Sequence, residues 1–235
     1  MAMRFRYRFA LWSLAVLAAL TALFFVLRSI AMYKARKTQA RAELFLAQAL
    51  QLEVGRATRS QVEQLAEQFG AEYYAPPWLV PSAPPAYPVP PPSPTAGMVE
   101  GCMGWSETFV FEFNNSALHD LGLAPLVRLR VGLWVYRGIL CNRGVGFGSG
   151  TGLKTVVIDI HEWWPVPNTT RFQADLSPFA TYIELTGPLP DDVRRGLYSF
   201  NFGCLSRAGG CRRSQDLLPW IWAQHGRKGV SFPRW

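Results

Sequence analysis

The hydrophobic positions along this chain change period twice. From Phe9 to Leu27 the run FALWSLAVLAALTALFFVL is unbroken, with no charge and only Ser13 and Thr21 as hydroxyl residues. At about 1.5 Å per residue it covers a hydrocarbon core of about 30 Å. The pattern therefore predicts a transmembrane helix over residues 9–30 behind a basic tail at 1–8, with the lipid bilayer as its partner. A core helix would carry a polar face. A cleaved signal peptide would have a shorter apolar region, and Arg28 stands between this run and the small-residue triplet Ser29-Ile30-Ala31.

After Ala31 the period becomes helical. Ala42, Phe45, Ala49 and Leu52 recur at three- and four-residue steps, and Gly55 ends the stripe. A second stripe of Val62, Leu65, Ala66 and Phe69 follows a capping signal at Thr58/Gln61 or Ser60/Glu63 and stops at Gly70. The two stripes predict a short helical hairpin over residues 31–70. Residues 71–97 read as a linker, because PPWLVPSAPPAYPVPPPSP admits neither helix nor internal sheet and favours polyproline II. As a stalk it reaches about 60 Å at full extension.

From residue 98 to 235 the period is two. Glu107, Phe109, Phe111 and Phe113 share a side in WSETFVFEF, and Trp105 continues that side. Val127, Leu129, Val131, Leu133 and Val135 face one way, with Arg128, Arg130, Trp134 and Tyr136 opposite. In KTVVIDIHEW, Val156, Ile158 and Ile160 point inward while Thr155, Asp159 and His161 point outward. RFQADL, TYIELT and GLYSFNF alternate as well. Turn-rich segments separate these runs, and no strand–helix alternation occurs. The chain is thus expected to be mainly β: an antiparallel β-sandwich or open barrel with a short C-terminal helix between Pro219 and Gly226.

Charge narrows the partners. The net +8 arises unevenly: residues 1–41 hold eight basic and no acidic residues, 42–190 are net −5, and 191–235 are net +5. A nucleic-acid binder concentrates positive charge on its folded domain. Here the largest basic block flanks the apolar run, so lipid headgroups are the expected partner and nucleic acid is not.

All four cysteines follow the linker: Cys102, Cys141, Cys204 and Cys211. No C-x-x-C occurs, which removes the usual redox and zinc-knuckle spacings. An even number in one small β domain points to two disulfides, Cys204–Cys211 across a short glycine-containing loop and Cys102–Cys141. Loop-closure entropy assigns about 2.5 kcal/mol to the first and about 4 kcal/mol to the second. Other pairings and buried thiols remain open. Disulfides imply an extracytoplasmic domain, hence an anchor with its N-terminus inside, which the triply basic tail Arg4, Arg6, Arg8 also favours.

Candidate chemistry is sparse. The tract RGVGFGSGTGLKT matches neither the phosphate-loop nor the G-x-G-x-x-G pattern, and reads as a flexible hairpin or loop, or as a ligand-contacting one. Alternate glycines in extended form would strip one face of side chains. Asp159 and His161 are the one acid–imidazole pair, able to act as acid and base or as two metal ligands. No G-x-S-x-G elbow supplies a nucleophile, and neither His119 nor His225 can be placed beside them as a third ligand. No metal site and no cofactor are expected. The expected function is a membrane-anchored binding or envelope-assembly module meeting a protein or envelope partner, with a membrane-tethered hydrolase using Asp159 and His161 as the alternative.

Overall fold

The computed structural model describes residues 2–75, 101–102, 106–124, 126–151, 154–164, 171–186, 190–206 and 211–225. Helix α1 (Ala2–Ala49) is continuous through the apolar run and beyond it. It is long and apolar enough to cross a membrane, judged by length and composition. Residues 11–30 are exposed throughout, and burial begins at Ala31. The last nineteen residues of α1, about 28 Å of helix, therefore lie alongside the rest of the molecule. Ala42, Phe45, Leu46 and Ala49 are their buried stripe.

A turn leads from α1 to α2 (Arg59–Phe69), which Thr58 and Gln61 open with a capping box. α2 buries Val62, Leu65 and Phe69. It touches α1 where the Phe45 and Phe69 rings meet edge to face at 5.2 Å and where Arg41 donates to the Phe69 carbonyl at 2.6 Å.

Seven strands form one mixed sheet: β1 (Glu72–Tyr74), β2 (Glu107–Asn114), β3 (Leu126–Tyr136), β4 (Ile139–Thr151), β5 (Lys154–Trp163), β6 (Arg171–Leu176) and β7 (Ala180–Thr186). Their order is β1-β2-β3-β4-β5-β7-β6. Neighbours are antiparallel except β5 and β7, which run parallel because the chain goes first to the edge as β6 and returns as β7 between them. Antiparallel pairing, expected throughout, fails at this one junction.

Two segments differ from expectation. Arg143 to Thr151 of the glycine tract, expected as a hairpin or loop, lie in β4, a central strand paired with β3 and β5. Its entry is the tight turn at Arg137 and Gly138, both with positive φ (51° and 79°), the backbone of a two-residue hairpin matched to strand twist. GLYSFNF is not a strand. It falls across the end of α4 (Asp191–Leu197) and the start of a 3-10 turn, Phe202–Ser206. Asp191 and Asp192 in the first turn and Arg194 and Arg195 in the last suit a helix and its dipole. A short α3 (Ser116–Asp120) follows β2, and α5 (Ser214–Leu217) and α6 (Pro219–His225) close the described chain.

The core lies between one face of the sheet and the helices. Phe109, Phe111 and Phe113 of β2, the apolar positions of β3 and Ile158 and Ile160 of β5 meet Phe45 of α1 and Leu197, Leu217 and Ile221 of the C-terminal helices. Phe45 packs its ring 4.4 Å from that of Phe111 and 5.2 Å from that of Phe113. Disulfides join Cys102 to Cys141 and Cys204 to Cys211, with all four cysteines buried.

This packing bears on the proline-rich stretch. Most of it, residues 76–97, lies outside the described residues. On either side of it, however, Tyr74 pairs with Thr108 in adjacent antiparallel strands. The segment joins neighbours within the sheet, and the sheet already rests on α1, which precedes it in the chain. Those contacts hold the sheet against the second half of α1.

Candidate functional site

On the side of the sheet away from the helices, β2, β3, β4 and β5 form an open groove of about 700 Å³. Its construction follows from strand parity. Arg128, Arg130 and Gly132 of β3 share this face with Gly144, Gly146 and Gly148 of β4 and with Val157, Asp159 and His161 of β5. Tyr74 and Thr108 border it on the β1–β2 side, and Trp134 borders it at the other end of β3.

The four glycines of the floor are of two kinds. At Gly132 a Cβ would lie 2.4 Å from the six-membered ring of Trp134, and at Gly144 it would lie 2.9 Å from His161 Cε1 and 3.0 Å from that ring, so glycine lets the indole and the imidazole lie close over the two strands. At Gly146 and Gly148 nothing described comes closer than 3.7 Å and 3.8 Å, and neither residue needs positive φ. Glycine inside a strand costs up to about 1 kcal/mol relative to alanine. Internal packing among the described residues does not account for these two.

The Asp159–His161 pair opens onto this groove. His161 Nε2 lies 3.3 Å from Asp159 Oδ1, with His161 partly buried and Asp159 about half exposed. The imidazole is surrounded by Trp134, Tyr182 and a stacked Trp163, ring centroids 6.1–6.2 Å away. His161 Nδ1 and Trp163 Nε1 are buried without a hydrogen-bond partner among the described residues. Partial burial, and the nearby carboxylates of Glu184 and Asp159, raise the pKa of the Tyr182 phenol. Around this end cluster Trp134, Trp163, Trp164, Tyr136 and the Cys102–Cys141 bond. His119 sits in α3, beside Asp120 at 3.3 Å, and His225 ends α6. No group of three metal-ligating side chains occurs among the described residues.

A second polar cluster lies on the core side, and sequence reasoning missed it. Arg143 of β4 and Glu162 of β5 are paired across the ladder and fully buried together. Arg143 also donates to the carbonyls of Ala49, at 2.8 Å, and Leu52, at 3.1 Å, at the end of α1 and in the turn that follows it. Arg194 of α4 reaches Glu162 at 2.9 Å, and the Tyr198 hydroxyl donates to it at 3.3 Å. The guanidinium of Arg143 stands 5.0 Å over the Tyr198 ring. Burial pulls the Arg143 pKa down, but Tyr198 and Glu162 outweigh it and the net shift is upward. Burial, and then the Glu162 charge, push the Tyr198 phenol well above the ordinary tyrosine value. With both cations engaged, the cluster has the makeup of a structural clamp rather than a reactive centre. The signal was parity: Arg143 is in phase with Val145 and Phe147, and Glu162 with Ile158 and Ile160.

No protein-family model, no curated protein and no solved structure matches this chain.

Proposed function

We propose that this chain is a single-pass, signal-anchored membrane protein whose β-rich head, residues 98–235, lies outside the cytoplasm and holds a partner or envelope component in the groove of its outer sheet face. The carrying observation is the bare floor at Gly146 and Gly148, where glycine weakens a central strand and no described neighbour requires it. Close approach by something outside the chain accounts for that composition. In this reading the bilayer holds residues 9–30, residues 31–70 form the helical hairpin that grips the sheet, 71–97, which begin with β1, act as a proline-rich linker leading into the head, and the sheet is an open barrel with an accessible concave face. The exposed apolar run of α1 supports the anchor, and the two disulfides support the address.

A photo-crosslinking side chain at Val157, which is 49% exposed on the groove, tests this in cells. An adduct is expected, and Gly146→Val is expected to remove it while leaving thermal stability equal or higher. An adduct indifferent to Gly146→Val, or none, overturns the reading. A second reading, a membrane-tethered hydrolase, is favoured by the 3.3 Å contact of Asp159 and His161 on the same groove. It requires that His161→Ala abolish a turnover that the folded protein otherwise performs.

A further inference from the structure

Resting on that reading of the groove, we infer that its occupant is a pyranose glycan, bound by stacking on Trp134 and by hydrogen bonds to Asp159 and Arg130. The argument is one of complementarity. A pyranose chain alternates flat, apolar C–H faces with a rim of hydroxyls that both donate and accept. The groove has the matching parts in the matching places. Its floor is glycine backbone, and an indole ring at one end borders it, held across Gly132 and Gly144 where a single Cβ would displace it. An aromatic face is apolar yet electron-rich, so it attracts weakly polarised C–H groups as it does ring edges.

Polar side chains stand along the walls and not on the floor. Arg130 projects from β3 opposite Gly146, and Asp159 flanks Gly146 from the other side, across β4. Asp159 Oδ1 already lies 3.3 Å from His161 Nε2, which leaves the second carboxylate oxygen to accept from a hydroxyl. Arg128 is held by Glu112 at 3.2 Å, whereas Arg130, opposite Gly146, makes no salt bridge among the described residues.

These features disfavour the other occupants. An apolar partner helix would bury Arg130 and Asp159 without compensation. An acidic polymer would meet Asp159 midway along the floor. A neutral polyhydroxylated chain satisfies a cation and a carboxylate together, and a groove about 27 Å long over Leu126–Trp134 of β3 suits several residues of such a chain.

The test uses the full-length protein in phospholipid nanodiscs, titrated by calorimetry with chitohexaose, cellohexaose and a proline-rich dodecapeptide. At least one oligosaccharide is expected to bind, and Trp134→Ala and Gly146→Val are each expected to weaken it by about tenfold or more. Gly146→Val guards against misfolding, since it adds a favourable strand residue in open space. Asp159→Asn is expected to cause a smaller loss. Binding of the peptide alone, or of no oligosaccharide, overturns the glycan assignment. If the Val157 adduct still forms in cells and still depends on Gly146, the groove reading survives that failure; if the adduct is lost too, both fall.

Discussion

Arg143 does three jobs with one side chain. It pairs with Glu162, it lies over the Tyr198 ring, and it supplies donors and positive charge to the carbonyl end of α1, which has no basic residue in its own last turn. Truncating it leaves Glu162 with Arg194 and the Tyr198 hydroxyl, and removes the side-chain donors from the Ala49 and Leu52 carbonyls. Arg143→Met is expected to cost about 3–5 kcal/mol, read as a fall in the denaturant midpoint, and adding Glu162→Leu is expected to restore most of it. Tyr198 gives a separate signature. Its folded-state pKa lies above the unfolded value of about 10, so the stability it carries is whole below that pH and drains away as pH rises past it. Wild-type stability should fall by up to about 1.4 kcal/mol per pH unit more steeply than that of Tyr198→Phe on the alkaline limb, checked by unfolding from pH 9 to 12. The alternation that gave the core face of β5 already placed Glu162 in phase with Ile160. A charge on an apolar face has meaning only once its partner is known, and Arg143 lies in the glycine tract, whose strand character was concealed by its composition. Glycine propensity argues for a loop; two long neighbours, β3 and β5, override it by filling every ladder position.

Among the elements, α1 is the one whose parts differ most in their surroundings. Its first stretch is exposed and apolar, its second is amphipathic and packed, and no break separates them. That continuity was legible from the sequence, since the apolar run passes directly into a three- and four-residue stripe. What the stripe packs against was not legible, because a helical period names a buried face and not its partner. Phe45 is the key contact, fully buried among Phe69, Phe111 and Phe113. Phe45→Ala is expected to cost about 3–5 kcal/mol and to loosen α1 from the sheet, seen as faster amide exchange in both α1 after residue 40 and β2. The proline-rich segment tests the same architecture from the other side. Because Tyr74 and Thr108 are already paired, replacing residues 80–95 with a short Gly-Ser link should leave the melting temperature and the fluorescence-transfer distance from head to bilayer unchanged. A stalk would shorten that distance by tens of ångströms.

At the scale of the whole molecule, the orientation of the proposed membrane anchor is the property on which the others depend. The charges flanking the apolar run do not decide it: three arginines precede it tightly, and Arg28, Lys34, Arg36, Lys37 and Arg41 follow it more loosely. Thiol chemistry separates the cases, because a cytoplasmic head is kept reduced and an external one is not. Each cysteine is at most 2% exposed, so labelling in the native state would report burial and not redox state. The informative experiment blocks cells under denaturing conditions, then labels with and without reductant. An external head should give no labelling before reduction and four thiols after it, and protease added to intact cells with a permeabilised envelope should reach the head. Four thiols before reduction, in a head shielded from protease, would place it in the cytoplasm. Cys102→Ser and Cys204→Ser then read the energetic side: about 4 kcal/mol for the loop of 39 residues and about 2.5 kcal/mol for that of seven should be lost from an external head. A reduced cytoplasmic head would lose neither, because the chain-entropy contribution exists only where the bonds do.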